Sequence, residues 1–327
     1  MVILFYQLKI DINSLNIPKE GIKFQPKINY LYQSGIFYSF LAVSSFIMHD
    51  MKIYKTTKGI LIDHENVFYL RQTDWDGFIN NDNIYKETLV LTEDITTISE
   101  APDLLHNGLL APIGTQEIWA SGVTYMRSKS ARMEESKGAG GGDFYDRVYD
   151  ADRPELFFKS AASRVAGPGQ KVRIRKDSNW NVPEPELTLM ISSSGKIIGY
   201  TVGNDMSSRD IEGQNPLYLP QAKTYDRSAA IGPCIYIPES PIEENALIEI
   251  EIIRNNTQVF SGDVRIDQIR RKFTDIVEFL FRETSFPVGC LLMTGTGIVP
   301  PNDFTLLIGD EIKIRIDHIG ELVNMVE

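Results

Sequence analysis

The sequence predicts an α+β protein that is mostly β, with a β-sandwich or β-roll core. Short apolar or alternating runs, separated by Gly, Pro, Asn and Asp turns, recur along most of the 327 residues. The clearest helical spacing of apolar residues is confined to Ile266–Arg282. The chain contains no repeat of strand, glycine-rich turn and helix of the dinucleotide-binding type. These observations together favour a β core over a doubly wound sheet.

The composition excludes several classes of partner. Hydrophobic residues make up 43% and charged residues 24% of the chain, which is typical of globular proteins, and the formal net charge is −11. A net negative charge argues against nucleic acid or an anionic membrane surface as a partner. Cys234 and Cys290 lie among apolar residues, as core thiols do in a reducing compartment. We therefore predict a cytoplasmic protein that binds neither nucleic acid nor membrane.

The first fifty residues differ from the rest of the chain. Their apolar run, Gly35–Met48, is shorter than a membrane span. Clean alternation begins only at Met51. We interpret residues 1–50 as an upstream extension before a native start at Met51. A targeting or anchoring segment is the alternative.

Two further segments are predicted after Met51. Residues 51–112 contain short strands and polar turns and are predicted to form a small, mostly β N-terminal domain. Residues 113–327 form the main domain. Its first elements are a strand at Ile118–Val123, a helix at Arg127–Lys137 and a strand at Arg153–Ser160.

The main domain is organised around a hairpin that carries three carboxylates. Glu184 and Glu186 flank a proline, which favours extended backbone, and side chains two apart on a strand share one face. The apolar strand that follows turns at S-S-S-G-K and returns as I-I-G-Y-T-V, so that Asp205 approaches the two glutamates.

Three carboxylates that converge repel one another unless a cation lies among them. A site made only of oxygen ligands suits Mg²⁺, with Mn²⁺ or Ca²⁺ possible, and not zinc or copper. Glu184, Glu186 and Asp205 are therefore candidate metal ligands. The alternative is an edge strand whose two glutamates are simply solvated.

The chain beyond residue 223 is rich in strands. Cys234–Ile237, Leu247–Ile253, Val288–Pro301 and Leu307–Asp317 each contain an apolar or alternating run, and N-N-T after the second of them predicts a hairpin turn.

Several motifs in the right order resemble the fumarylacetoacetate hydrolase superfamily. They are G-V-T-Y, F-F-K-S, E-P-E-L, G-Y-T-V-G-N-D-M-S-S-R-D, A-K-T-Y-D, I-G-P-C, T-G-T-G and G-D-E-I, and they extend from Trp119 to the C-terminus. The resemblance implies a mixed β-roll catalytic domain, a homodimer or higher homo-oligomer, and a divalent cation held by Glu184, Glu186 and Asp205.

One departure from the family bears on the chemistry. Its C–C bond hydrolases activate water with a histidine shortly after a G-x-N-Y motif, whereas this chain has Thr124 in place of the asparagine and no histidine nearby. R-P-E-L-F-F-K, N-P-L-Y-L-P-Q-A-K and T-G-T-G-I-V-P-P instead resemble the branch that contains 2-keto-3-deoxy-D-arabinonate dehydratase. That resemblance assigns the acid–base work to Glu155 and Lys223.

Analogy and chemistry also suggest how a substrate would be held. The backbone N–H groups of Thr294, Gly295 and Thr296 and the two threonine hydroxyls could bind a substrate carboxylate. Arg127 and Arg209 could pair with the polar tail at the other end of the substrate. For each arginine the alternative is a structural ion pair.

The resemblance thus implies a Mg²⁺-dependent dehydratase of a 2-keto-3-deoxy sugar acid, a pentonate, giving a 2,5-dioxo acid. Two alternatives stay open at this point. One is a hydrolase or decarboxylase of an acylpyruvate or similar 2-oxo acid on the same metal site. The other is a sugar-acid-binding protein without catalysis.

Overall fold

The computed structural model describes residues 50–94, 97–135 and 142–327. The proposed upstream extension therefore lies outside the described residues, apart from Asp50. Met48–Glu327 form a single compact unit. None of the helices in the described ranges combines the length and apolar composition that crossing a membrane requires.

Strands dominate the described chain. The strands are β1 Met51–Thr56, β2 Gly59–His64, β3 Val67–Arg71, β4 Glu117–Gly122, β5 Glu155–Ala161, β6 Val165–Ala166, β7 Lys171–Val172, β8 Asn181–Val182, β9 Pro185–Ile191, β10 Ile197–Asp205, β11 Ser207–Ser208, β12 Ala229–Ile237, β13 Leu247–Arg254, β14 Thr257–Arg265, β15 Cys290–Met293, β16 Glu311–Ile316 and β17 Gly320–Val326. The helices are α1 Trp75–Ile79, α2 Ile84–Asp94, α3 Ala101–Asn107, α4 Met126–Glu135, α5 Gly142–Asp150, α6 Arg209–Gln214, α7 Leu219–Lys223 and α8 Phe273–Phe281. The predicted α+β, mostly β class is confirmed.

Ten strands form one large mixed sheet. Its order is β3-β2-β1-β12-β10-β9-β15-β4-β5, with β6 paired in parallel to β12. The strands of the predicted N-terminal domain thus extend the sheet that carries the carboxylate hairpin, because β1 pairs with β12. The predicted division into a small N-terminal domain at residues 51–112 and a catalytic domain at residues 113–327 stays a prediction.

The N-terminal segment also contains three helices, α1 to α3, which alternation did not reveal. The sequence D-W-D-G, Asp74 to Gly77, begins the first of them. The side chain of Asp74 accepts a hydrogen bond from the backbone N–H of Gly77 and so caps α1. α1 and α3 have five and seven residues, so a periodicity of 3.6 residues has little length in which to appear. In α2, which has eleven residues, two of the buried positions are threonines, Thr88 and Thr92, which interrupt the apolar pattern.

A second sheet of five strands, in the order β14-β13-β16-β17-β7, packs on the large one. Asn255 and Asn256 both have positive φ, at 50° and 61°, in the turn between β13 and β14. Two consecutive residues with positive φ are typical of the type I′ turn, and asparagine tolerates this conformation. The hairpin predicted from N-N-T is confirmed.

The helix predicted over Ile266–Arg282 is shorter than its apolar spacing suggested. Ile266–Gln268 form a single 3₁₀ turn, and the α-helix begins only at Phe273. Ile276, Val277 and Leu280 are its buried residues, as the pattern predicted. Ile266 is buried as well, but it belongs to the 3₁₀ turn that precedes the helix. The apolar pattern therefore includes residues from two elements.

The large sheet is covered on both faces. One face packs on the five-stranded sheet and α8, with Leu187 and Leu189 of β9 against Ile248 and Ile250 of β13. The other face packs on α1 and α2. All of β9 is buried in consequence, including its two polar residues, Glu186 and Thr188. The hairpin of β9 and β10 is therefore central, and the alternative of a solvated edge strand is wrong.

Candidate functional site

The register of the β9–β10 hairpin brings the three predicted carboxylates together. The backbone N–H of Asp205 donates to the carbonyl of Glu184 at 3.0 Å, and Gly203 pairs with Glu186. Asp205 therefore lies across from Glu184 on the same face of the sheet. One carboxylate oxygen from each of Glu184, Glu186 and Asp205 lies within 4.8 Å of the other two, and all three residues are buried. Three oxygen ligands at these separations fit a single divalent cation.

The surroundings shift the pKa values of Glu184 and Glu186 in opposite directions. Burial raises the pKa of Glu184, but the charges of Lys223, Arg209 and Arg132 outweigh it and hold that pKa at about 2. Burial, together with the charges of Asp205 and Glu184, raises the pKa of Glu186 well above its usual value. Like charges in a buried site thus oppose full ionisation of the cluster, and a cation among them would relieve that opposition.

Two buried lysines contact the carboxylates. Lys223, at the C-terminal end of α7, places its Nζ 2.6 Å from Glu184 Oε2 and 3.1 Å from Asp205 Oδ2. The Nζ of Lys159 lies 2.5 Å from Asp205 Oδ1 and donates to the carbonyl of Met206 at 2.9 Å. Neither lysine is exposed to solvent. The fold thus brings the predicted Lys223 to the cluster and adds Lys159, a second cation to which the motifs assigned no role.

Lys159 lies on the face of β5 that points to the site. By alternation along the strand it shares that face with Glu155 and Phe157, and Phe157 lines the cavity. A β-bulge follows, because Ile118 of β4 faces Ser160 and Trp119 faces Phe158, which leaves Lys159 without a partner in the ladder. The contact between Lys159 and Asp205 therefore agrees with simple alternation along β5.

Glu155 begins β5 beside this cluster. Gly122, its partner on β4, lines the cavity in front of the carboxylates. A Cβ atom at residue 122 would come within 2.0 Å of Glu155 Oε2, so the glycine leaves room for the carboxyl. That oxygen is buried and has no hydrogen-bond partner. Burial raises the pKa of Glu155, and the positive charges of Arg132 and Lys223 partly oppose the shift.

Two buried arginines surround Glu184. Arg209 Nη2 lies 3.0 Å from Glu184 Oε1, so the residue predicted to hold a polar tail braces a predicted metal ligand. Arg132, on α4, lies 4.0 Å from the same oxygen and pairs with Glu212 of α6. Neither Arg132 nor Glu212 was predicted. Glu212 follows Arg209 by three residues, so helical periodicity could have placed the two on one face, whereas no spacing singled out Arg132.

The Thr294–Thr296 turn lies at the other end of the cluster. The backbone N–H of Gly295 donates to Glu186 Oε2 at 2.7 Å. The hydroxyl of Thr294 donates to the carbonyl of Leu187 at 2.9 Å, within the sheet, and Thr294 does not line the cavity. Gly295 and Thr296 do line it. The predicted binding of a substrate carboxylate by this turn stays a prediction.

Arg127 is an exposed residue of α4 and does not line the cavity. Its predicted contact with a polar tail stays a prediction. The described histidines, His64, His106 and His318, do not line the cavity either. No described histidine is therefore placed to serve as the water-activating base of the C–C hydrolases.

The cavity itself is small, at about 20 Å³. This is room for about one water molecule, so a five-carbon acid requires the surrounding side chains to move apart. The charged groups within and around the cavity leave one net negative charge, from five carboxylates and four cations. These groups are Glu155, Glu184, Glu186, Asp205 and Glu212 together with Arg132, Lys159, Arg209 and Lys223. A divalent cation and a monoanionic substrate would bring that sum to zero.

Comparisons with known proteins agree with this geometry. The C-terminal domain of fumarylacetoacetate (FAA) hydrolase matches residues 118–327. A probable 2-keto-3-deoxyxylonate dehydratase of Haloferax volcanii is 44% identical over 237 residues, which cover 72% of this chain and 80% of that protein. The 2-dehydro-3-deoxy-D-arabinonate dehydratase of Saccharolobus solfataricus is 40% identical over 218 residues, covering 66% and 73%.

Solved structures give the same picture. The structure of 2-keto-3-deoxy-D-arabinonate dehydratase complexed with magnesium and 2,5-dioxopentanoate superposes with a TM-score of 0.70 at 31% identity. The match covers 85% of this chain and 98% of that one. By sequence and by fold, this chain belongs to the fumarylacetoacetate hydrolase family.

Proposed function

We propose that this protein is a Mg²⁺-dependent dehydratase of a 2-keto-3-deoxy pentonate and forms 2,5-dioxopentanoate. The observation that carries the proposal is the buried Glu184–Glu186–Asp205 cluster with Lys223 in contact and the Glu155 carboxyl beside it. The relatives named as dehydratases of such acids, and the structure of one with magnesium and the dioxo acid, support it.

In this proposal Glu184, Glu186 and Asp205 hold the cation. When bound, the cation withdraws electrons from the carboxylate and 2-oxo groups of the substrate and so acidifies the protons on C3. Gly295 and Thr296, the two residues of the Thr294–Thr296 turn that line the cavity, bind the substrate carboxylate. Arg209, held on Glu184 at 3.0 Å, fixes the orientation of that ligand.

Glu155 is the base that removes a C3 proton. Its Oε2 has no partner to release, and a raised pKa makes a carboxylate a stronger base. Lys223 is the acid: its ammonium group donates towards the C4 hydroxyl, which leaves as water. Loss of the C3 proton and the C4 hydroxyl leaves a double bond between C3 and C4. This species then isomerises: C3 and C4 each gain a proton, while C5 and the C5 hydroxyl each lose one, so that C5 becomes the aldehyde. The product differs from the substrate by one water.

The test is a panel of substrates with Mg²⁺. The protein is incubated with 2-keto-3-deoxy pentonates, the corresponding hexonates and acylpyruvates. One assay detects the semialdehyde product, 2,5-dioxopentanoate or its hexonate counterpart, and a second assay detects pyruvate. We expect semialdehyde from a pentonate, abolished by a chelator and by Glu155→Gln. Pyruvate from an acylpyruvate, without semialdehyde, would instead make the protein a C–C hydrolase and remove the roles given to Glu155 and Lys223.

Two further parts of the proposal have separate tests. We propose a homodimer, for which static light scattering should give twice the mass of one chain. We also propose a cytoplasmic location, in keeping with Cys234 and Cys290, which are buried and form no disulfide. Fractionation of cells that produce the full chain should recover the protein with the cytosol.

A further inference from the structure

Arg132 and Glu212 form a buried ion pair at one end of the cavity. Arg132 is 6% exposed and Glu212 is 1% exposed. Arg132 Nη1 contacts Glu212 Oε1, and Glu212 Oε2 accepts a hydrogen bond from Ser207 Oγ at 3.0 Å. The pair joins α4 to α6. Burying two charges is costly unless geometry and further hydrogen bonds compensate, which makes such a pair weak evidence for stability alone.

The pair has a fixed place relative to the carboxylate cluster. Arg132 Nη2 lies 4.0 Å from Glu184 Oε1, so the guanidinium is on the Glu184 side. The N–H of Gly295 bonds to the other glutamate of the pair, Glu186, at 2.7 Å. Arg132 lines the cavity together with Lys223. A substrate whose carboxylate binds at the Gly295 side therefore extends its other end towards Arg132.

The substrate of the proposed function has a distinctive group at that end. Carbons 1 and 2 belong at the cation and carbons 3 and 4 between Glu155 and Lys223, which leaves the C5 hydroxyl beyond them. A guanidinium donates hydrogen bonds and cannot accept them. Arg132, which lines the cavity, can therefore donate to the oxygen of that hydroxyl.

We propose that Arg132 binds the terminal hydroxyl of the substrate and that Glu212 is a positioning residue that aims its guanidinium into the cavity. The inference rests on the proposed function and deepens it, because it names what selects a substrate with a hydroxyl at C5. Arg209 is a poorer candidate, since it bonds to Glu184 at 3.0 Å. Bound by Arg132, the C5 hydroxyl stays in place through the second half of the reaction, in which C5 becomes the aldehyde.

Binding of unreactive 2-oxo acids gives a test that does not depend on turnover. 5-Hydroxy-2-oxopentanoate and 2-oxopentanoate both lack the C4 hydroxyl that leaves, and they differ only at C5. Titration calorimetry with Mg²⁺ should show that the wild-type protein binds the 5-hydroxy acid about 10- to 100-fold more tightly, the range for a hydrogen bond to a charged group. Arg132→Gln should lose that preference.

Turnover gives the matching kinetic test. 2-Keto-3-deoxy pentonate is compared with 4-hydroxy-2-oxopentanoate, whose C5 is a methyl group and whose dehydration stops at an absorbing enone. Arg132→Gln should lower kcat/KM for the pentonate about 100-fold and for the methyl analogue only a few-fold. Glu212→Gln should mainly raise KM for the pentonate, and Arg132→Lys should restore part of the preference. Arg147→Gln, an exposed arginine on α5, is the matched control.

Removing one member of a buried pair can unfold a protein, so Arg132→Gln with Glu212→Gln is measured as well, because this double variant leaves no unpaired charge. Equal loss on both substrates, or an unchanged binding preference, would overturn the role of Arg132 and leave the dehydratase intact. Absence of semialdehyde from the wild-type protein would sink the proposed function instead. A wild-type protein that binds both unreactive acids equally would also overturn the inference.

Discussion

Glu155 and Lys223 are both beside the carboxylate cluster, yet the fold leaves their polar groups in different situations. Lys223 contacts two carboxylates, whereas Glu155 Oε2 is buried without a partner. Burial favours the neutral carboxyl, so the pKa of Glu155 lies above its usual value of 4.5. The roles of base and acid in the proposed mechanism follow from this difference.

A pH dependence follows from Glu155. If its carboxylate is the base, the active form increases as pH rises through the raised pKa, so the acid limb of kcat/KM should lie above the usual glutamate range. Glu155→Gln should lower kcat about 10²- to 10⁴-fold, the usual contribution of general acid–base catalysis. The pH–rate profile with a pentonate is the measurement.

Glu134→Gln, an exposed glutamate of α4, serves as the control and should keep the wild-type profile. An acid limb at the ordinary glutamate pKa, or a Glu155→Gln variant with nearly full activity, would contradict the assignment.

At the residue scale the sequence was informative where a motif could be aligned with a family. The carboxylates, Glu155 and Lys223 came from such motifs, and the structure brings them together. Lys159 lies in the F-F-K-S motif, which assigned it no role, and Arg132 and Glu212 lie outside the quoted motifs. Lys159 contacts Asp205 of a strand distant in the sequence, and Arg132 lines the cavity from α4. Such directions depend on the pairing and packing of other segments.

At the scale of elements, the turn after β15 shows how closely backbone approaches the site. Gly295 has φ of +91°, and a Cβ there would lie 2.1 Å from Thr124 Oγ1 and 2.9 Å from the carbonyl oxygen of Ser121. Thr124 in turn donates to the carbonyl of Thr294 at 2.7 Å. The threonine that replaces the family's asparagine is therefore part of the packing around this turn.

Gly309 allows a matched comparison with Gly295. It has the same φ of +91° but nothing within 4 Å of the position of a Cβ. Gly309→Ala should cost about 1–2 kcal/mol for the left-handed backbone alone, whereas Gly295→Ala should cost more, because it adds a clash with backbone. Denaturant unfolding of both variants measures the difference. Equal losses of stability would show that the turn adjusts freely.

The helix over Ile266–Arg282 illustrates what an apolar stripe can and cannot define. The buried positions followed the pattern, but the first part is a 3₁₀ turn and a loop. Burial is a property of the packed molecule, and residues in a loop can be buried beside those of a helix. Periodicity therefore predicted which side chains are inside better than where the helix begins.

At the scale of the whole molecule, the candidate metal site lies on a buried hairpin of the large sheet. The three carboxylates are at most 4% exposed. A cation that binds the folded chain and not the unfolded chain stabilises it by mass action. The site and the stability of the molecule are therefore linked.

Mg²⁺ at 100 times its dissociation constant should raise the free energy of unfolding by about 2.7 kcal/mol. Chemical denaturation with Mg²⁺ and with a chelator measures this increase. Asp205→Asn should abolish it, whereas Asp303→Asn, at an exposed position, should keep it. An equal increase in the Asp205 variant would place the stabilising cation elsewhere.

A chain that starts at Met51 should fold and act like the full chain. Among the described residues, the buried apolar clusters and the candidate site consist of residues from Met51 onwards, and the shortened chain keeps all of them. Thermal unfolding and kcat/KM of the shortened protein should match those of the full chain to within about twofold in rate. A large loss in either would show that residues 1–50 belong to the working protein.

The sequence by itself determined the class of fold, the central hairpin with its three carboxylates and the family, because these depend on local patterns and on motifs read in order. The tertiary structure alone decided that the strands of residues 51–112 join the large sheet, that Lys159 points to Asp205 and that Arg132 pairs with Glu212. Each of these features joins residues that are distant in the chain. The physical reason is that strand pairing and packing decide which residues a side chain meets, and both depend on segments far away in the sequence.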